Sequence, residues 1–297
     1  MKVLVTGNCQ ARPVSNLLQS SAAVDVMPPI VLHLAQEADR GRHLDLLLEA
    51  DVIVAQQTAD TFQIPHLRSS ELKQLEKPVV IWPNIFWATQ QPFLRYITHS
   101  NLGRMLGPFE GMHDLRIFCS WAVGVSDESH LSDYFGAEYI KSVSNQSIQD
   151  LRKRERSCDV SISDFLVENA KDKRLFFTFN HPTKIVLQEL VKKIIAFLDL
   201  PLRQEEISTK PTEPLGRYIV PSIWPEEQTW FQGDSVSIGD NGVVTRNPGP
   251  PQKYTFKDLC DLFHAIYEKN QAFLELQKLR LTPVMDVDRA WLKMVQH

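Results

Sequence analysis

Three short runs of apolar residues, unbroken by any polar side chain, constrain this chain more than any other feature. They are VLV within residues 2–6, VIVA within 51–55 and VVIW within 78–82. A strand with one wet face alternates apolar and polar residues. A strand that is apolar at every position is buried on both faces, as parallel strands are when helices cover them. Amphipathic stretches separate the runs. Residues 11–20 place Val14, Leu17 and Leu18 on one face, and helical patterning returns at 34–48 and 69–76. A further strand at 24–27 is stopped by Pro28 and Pro29. This alternation predicts an α/β fold: a parallel sheet with helices on both faces.

The middle of the chain reads as a helical region. Residues 114–123 and 128–135 are apolar helix candidates, and 145–170 is a longer charged stretch with a break near Cys158. RLFFTF (174–179) reads as a fifth strand running into Asn180, His181 and Pro182. Pro182 suits the first turn of a helix continuing through 185–198, because its missing N–H is an orphan there anyway. Residues 201–233 are rich in Pro and Glu and read as an extended connection. VSIGDNGVVT (236–245) has the form of a hairpin turning at 239–242. Thr255 to Asp258 has the form of a helix start, and the C-terminal helical extension runs from there to about Arg280, broken by Pro283 and followed by a short terminal helix. The expectation is an α/β catalytic domain over 1–200, with 201–297 packing on the same domain. The helix from Thr255 can pack on that core or against a second copy of the chain.

With 297 residues, 43% of them hydrophobic, the chain can build one large core or two modest ones. The net charge of −4 gives no basic excess for nucleic acid, and the basic run LRKRER (151–156) reads as the solvated face of a helix. No apolar run reaches the ~18 residues of a membrane span. MKVLVTGNCQ lacks the length and cleavage site of a signal peptide, so a cytoplasmic protein is expected. The four cysteines, Cys9, Cys119, Cys158 and Cys260, form no CxxC pair, which argues against zinc and redox-dithiol sites. No HExxH or carboxylate-rich cluster points to a metal, and GxSxG, GxGxxG and GxxxxGK[ST] are absent.

The sharpest local signal is Gly7-Asn8-Cys9-Gln10, where the first strand gives way to the first helix. Ligands bind at this carboxyl edge in open α/β sheets. Free N–H groups and the helix dipole favour negative charge there, which lowers the pKa of a thiol so placed. The same N–H groups can receive the oxyanion of an acyl intermediate. Gly7 permits the tight turn, and Asn8 and Gln10 add donors. A buried cysteine in an ordinary βα turn fits the same residues.

A cysteine nucleophile needs a base. His181 is the best placed of the nine histidines, provided the RLFFTF strand runs parallel to the first. Asn180 beside it can orient an imidazole or donate to a carbonyl. His113, in GPFEGMHD (107–114), is the other candidate, with Asp114 or Glu110 to steady it. Each is equally a loop or capping histidine. His33, His43, His66, His99, His130, His264 and His297 read as surface or helix residues. Gln56, Gln57 and Asn84 put amides at strand ends of the same edge, as donors to a carbonyl or sugar hydroxyl. Arg12 can meet a phosphate near the first helix. Trp82, Phe86 and Trp87 can stack a ring or simply fill the core.

In that order, GNCQ (7–10), Gln56, WPNIFW (82–87), His113 and TFNHP (178–182) resemble the WcbI-type polysaccharide-biosynthesis acetyltransferases, over roughly residues 2–200. The resemblance implies binding of coenzyme A, with acetyl-CoA as acyl donor, and transfer of the acetyl group to a sugar hydroxyl of a surface polysaccharide such as a capsule. It also implies a distant likeness to the SGNH/GDSL hydrolases, with Cys9 where those enzymes place serine. Cys9 is then the catalytic centre and His181 or His113 the base. GNCQ departs from their GDS pattern, and no clear DxxH ending is present. The rival readings are an SGNH-like esterase using water as acceptor and a non-catalytic carbohydrate-binding protein.

Overall fold

The computed structural model of the protein describes residues 1–99, 103–123, 135–203, 213–226, 228–271 and 279–281. It divides into two compact units rather than at residue 200. The first comprises 1–86, 149–170 and 181–215, and the second comprises 87–148, 171–180 and 216–297. The C-terminal part of the chain therefore groups with the middle region.

The first unit is built on a parallel sheet. Its strands are β1 (Lys2–Gly7), β2 (Asp25–Val26), β3 (Ile30–Val31), β4 (Val52–Gln56) and β5 (Val79–Trp82). Their order is β2-β1-β4-β5, with β3 also on β1. Lys2 pairs with Asp25 and Thr6 with Ile30, so β2 and β3 form one edge interrupted by the two prolines. On its other side β1 pairs with β4 (Thr6 with Ala55), and β4 pairs with β5 (Gln56 with Trp82).

Strand alternation sorts the apolar runs onto two faces. Leu4, Ile53, Ala55 and Ile81 share a buried cluster with Leu47, Ile64, Leu67 and Leu72. These partners come from α2 (Arg40–Glu49), a 3-10 turn (Pro65–Leu67) and α3 (Ser69–Leu72). Val3, Val5, Val54 and Val80 point the other way and are equally buried. Helix α1 (Ala11–Ser21) buries Ala11, Val14, Leu17 and Leu18 and packs on β1. It also packs on α7 (Lys184–Phe197), which buries Val186, Leu187, Leu190, Val191, Ile194 and Ile195. Both faces are covered, as the uninterrupted runs require.

Several expectations shift. Helix α2 starts at Arg40, because Leu32–Leu34 and Glu37–Asp39 are 3-10 turns. The long charged stretch resolves into α5 (Ala137–Glu155) and α6 (Ser163–Asn169), broken around Cys158. Pro182 lies in the short strand β10 (His181–Pro182), with Thr183 at the N-cap position of α7 behind it, its side chain making no capping bond. The RLFFTF segment yields β9 (Phe176–Thr178), which belongs to the second unit and is no part of the parallel sheet. The expected helix at 128–135 lies outside the described residues except for Phe135, as does any helix after Pro283.

In the second unit β6 (Leu94–His99) pairs antiparallel with β7 (Gly103–Arg104), β8 (Met112–Asp114) and β15 (Leu279–Leu281). Arg280 is thus in a strand, and α8 ends earlier, spanning Phe256–Lys269. Helix α8 begins with a capping box in which Thr255 and Asp258 satisfy each other's backbone N–H. It packs on α4 (Leu115–Val123) through Phe118, Phe263 and Tyr267. A second strand pair joins β11 (Phe231–Gly233) to β14 (Gln252–Tyr254). The expected hairpin is present as β12 (Val236–Ile238) and β13 (Val244–Arg246).

Asp234 ties these segments together. It is 2% exposed, accepts from Arg217 Nε at 2.9 Å and Tyr218 Oη at 2.7 Å, and its N–H donates to the Pro108 carbonyl. Arg217 is 40% exposed and stays solvated without its partner, so the loss falls mainly on the buried Tyr218 hydroxyl, which loses this acceptor. Asp234→Ala is expected to lower the unfolding free energy by about 1–3 kcal/mol, measured by urea denaturation; an unshifted midpoint would refute this role.

Candidate active site

The first connection out of β1 leads to β2 on one side, and the chain then crosses to β4 on the other. The point where winding direction reverses opens a crevice between the carboxyl ends of two strands, and ligands bind in such crevices. Here it lies between β1 and β4. Gly7, Asn8, Cys9 and Gln10 leave β1 at that point, and Gln56 ends β4 beside them.

Gly7, Gln56 and Trp82 follow one another in lateral register across β1, β4 and β5. A Cβ on Gly7 would stand 2.8 Å from Cζ2 of Trp82 and 3.1 Å from Cβ of Gln56. Glycine is therefore required here by the approach of the indole. Trp82 is fully buried, as is Trp87 in the second unit, so both serve as core residues.

A directional relay of amides is built on this row. The Asn8 N–H donates to Gln56 Oε1 at 2.8 Å. Gln56 Nε2 donates to Gln10 Oε1 at 3.1 Å, and Gln10 Nε2 donates to the Ile85 carbonyl at 2.9 Å. A backbone donor at one end and a backbone acceptor at the other leave only one orientation for each side-chain amide. Gln10 and Gln56 are almost fully buried. A second branch is fixed in the same way. The Gln10 N–H donates to Asn8 Oδ1 at 2.9 Å, so Asn8 presents Nδ2 to Asn84 Oδ1 at 3.2 Å. Asn84, half-buried, is left with its own Nδ2 as the donor not committed to Asn8.

Cys9 sits half-buried within this frame, and its Sγ lies 3.9 Å from Asn8 Oδ1. Helix α1 starts two residues later, with its first turn closed by Ala11 N–H on the Asn8 carbonyl. Cys158 packs, partly buried, against the core, and burial pushes its thiol up to about 12.

The remaining candidates are dispersed. Arg12 is exposed on the first turn of α1. His181 is in the first unit, just ahead of the helix that packs along α1, and burial pushes its imidazole down to about 4. The premise that brought it to the sheet edge, a parallel fifth strand, does not hold. Asn180 is in the second unit, donating to Tyr96 Oη at 3.0 Å and accepting from Thr178 Oγ1. His113 is in the second unit too, fully buried. Its Nδ1 pairs with Tyr267 Oη and its Nε2 with the Met105 carbonyl, each at 2.9 Å. Burial is the main cause that takes it down to about 4. Asp114, expected to steady it, instead binds Arg116 and caps α4.

Sequence reasoning missed Arg154 and Ser157. The basic run was read as a solvated face, and Arg152, Lys153 and Arg156 are indeed exposed. Arg154 instead turns inward, its Nη2 donating to the Phe86 carbonyl at 2.7 Å. Gln57 reaches Ser157 Oγ. Local pattern carries no signal for either, because the partners lie 68 and 100 positions away.

Fold and site together define an α/β protein with a cysteine-centred polar site at the switch point of a parallel sheet. The family model for the polysaccharide biosynthesis enzyme WcbI matches residues 2–203. The chain belongs to the WcbI family of polysaccharide biosynthesis enzymes. Among solved structures it is similar to WcbI itself, described as a novel polysaccharide biosynthesis enzyme, with a TM-score of 0.66 at 18% identity over 99% of this chain and 97% of that one. That structure is of the native protein without a disulfide bond between coenzyme A and one of its cysteines. At this identity the likeness shows the fold. No curated protein matches the chain. Among the described residues no helix is long and apolar enough to cross a membrane, and no group of three or more His, Cys, Asp or Glu is placed to hold a metal.

Two outcomes follow. Gly7→Ala is expected to cost about 1–3 kcal/mol in unfolding free energy through displacement of Trp82; an unchanged urea midpoint would show that the indole yields freely. The second concerns His113. The unfolded imidazole, near ~6.5, binds a proton that the folded protein refuses down to about 4. The stabilisation is therefore complete above the unfolded value and drains away as pH falls through this window. Lowering the pH from 7 to 5 is expected to reduce the unfolding free energy by on the order of 2 kcal/mol through this group, and His113→Gln should flatten the slope; an identical slope in that variant would contradict the assignment.

Proposed function

We propose that the protein is a coenzyme A-dependent O-acyltransferase that moves an acetyl group from acetyl-CoA to a sugar hydroxyl of a polysaccharide or its precursor. The observation that carries this reading is Cys9 at the switch point, framed by amides whose polarity is fixed. Membership of the WcbI family supplies polysaccharide biosynthesis, and the similar WcbI structure, of the native protein without a disulfide bond between coenzyme A and one of its cysteines, supports coenzyme A as the ligand.

The donor set fits a thioester. Transfer generates a negative oxygen on the acyl carbon, and preorganised neutral donors stabilise it without binding the ground state as strongly. Asn84 Nδ2 is the donor we assign to that oxygen, since the N–H groups of Asn8, Gln10 and Ala11 are already committed within the frame. Gln56 and Gln10 act at one remove, holding Asn8 and Ile85 still. The thiol of Cys9 faces a carbonyl oxygen, Asn8 Oδ1, which favours S–H over S⁻. Its proton must therefore pass to a base as the sulfur attacks the acyl carbon. The base returns that proton to the departing coenzyme A sulfur, which leaves as the thiol; the sugar hydroxyl then gives its proton to the base as its oxygen takes the acyl group, and the base passes that proton back to the released sulfur of Cys9.

We assign the base to His181. It belongs to the same unit as Cys9, whereas His113 does not; burial, which pushes it down to about 4, leaves it neutral but weakly basic at neutral pH. The ring nitrogens of His113 are both already hydrogen-bonded. His181→Ala is expected to lower kcat by ~10²–10⁴, whereas His113→Ala acts mainly on stability.

The deciding experiment follows coenzyme A release from acetyl-CoA with and without a glycan acceptor. Wild-type protein should release it in an acceptor-dependent manner, and folded Cys9→Ala should not. Near-normal turnover by that variant defeats the covalent route, and release independent of acceptor identifies a hydrolase instead.

A further inference from the structure

We infer that Arg154 is a positioning residue of this site, acting through the backbone of the loop that carries Asn84. The inference rests on the acyltransferase reading above for its kinetic consequence, but not for its structural one.

The loop 83–86 leaves β5 and has to present Asn84 at a fixed distance from Asn8. Three backbone carbonyls around Asn84 are held by donors from three separate parts of the chain. Trp82 O accepts from the Gln57 N–H at 2.8 Å, Ile85 O from Gln10 Nε2 at 2.9 Å, and Phe86 O from Arg154 Nη2 at 2.7 Å. Gln57 directly follows β4 and Gln10 directly precedes α1, the strand and helix that build the site. The third is brought by the last turn of α5, from the other end of the connection.

The guanidinium is poorly placed to hold a ligand. Its Nε is sealed from solvent with no hydrogen-bond partner among the described residues, and Nη2 is committed to Phe86. Burial also weakens its hold on the proton, against the opposing fields of Asp150 and Glu155. Placing a cation in such a position costs solvation. What it supplies is a charge-assisted bond to a carbonyl, stronger than a neutral donor gives. Fixing Phe86 O fixes the course of the chain two residues after Asn84, and thus the direction of Asn84 Nδ2. Displacements of ~1 Å in such a group cost ~10²-fold in rate.

The test uses the full-length protein with Arg154→Met, which keeps the apolar stem, and Arg154→Lys, which keeps one charged donor. Turnover is measured as acceptor-dependent coenzyme A release, and hydrogen exchange by mass spectrometry follows the peptide spanning 83–87. Arg154→Met is expected to lower kcat about 10- to 100-fold, leave KM for acetyl-CoA within about twofold, and speed exchange of that peptide. Arg154→Lys should recover a large part of both changes. A raised KM with unchanged kcat, or equal defects in both variants, overturns the inference. So does unchanged exchange in the peptide. If wild-type protein shows no turnover, the acyltransferase reading fails, and the exchange measurement alone decides whether Arg154 anchors the loop. Should Arg154→Met not fold, exchange in Arg154→Lys decides: faster exchange of that peptide than in wild type supports the anchor, and unchanged exchange overturns it.

Discussion

The closeness of β1 to the Trp82 indole governs the site. Residue 7 has no side chain, so the ring reaches across β4 to the backbone of β1. That contact closes the apolar layer of the sheet directly beneath the polar one. It leaves Gln56, the middle member of the row, one direction in which to extend, toward Asn8 and Gln10. A larger residue at position 7 would separate the strands' ends from the indole, and the amide relay would lose the floor that sets its height. The position of Cys9, two residues on, follows from the same contact.

The parallel sheet was legible because burial on both faces writes itself into consecutive residues. Val52–Gln56 and Val79–Trp82 are strands within a residue or two of where the apolar runs lie. The junction at Cys9 and the amides at Gln56 and Asn84 were legible for the same reason, since strand ends in a parallel sheet share one edge. RLFFTF was misplaced because an apolar run specifies burial but not which sheet it enters. His113 was a candidate base in a cleft-lining loop. Its burial depends on Tyr267, 154 positions away, and on a tilted ring contact with Phe263, and no local pattern encodes either. Arg154 was hidden in a run whose other cations are solvated.

The two units handle buried polarity differently. The second buries Asp234 at 2% exposure and meets the cost with Arg217, Tyr218 and a nearby Arg246. Such a cluster is strong only while its carboxylate stays charged and its partners stay in place. In the first unit the site is framed by Gln10, Gln56, Asn8 and Asn84, none of which titrates. Neutral amides are far less costly to desolvate than ions, and a relay whose ends are both backbone groups has no alternative orientation of similar energy.

An amide frame has a consequence for the chemistry it surrounds. Its donors keep the same strength and direction across the whole pH range in which the protein is folded. On the acyltransferase reading proposed above, any pH dependence of turnover therefore arises from the groups that exchange protons with substrate, and the scaffold that aims them contributes nothing to the profile.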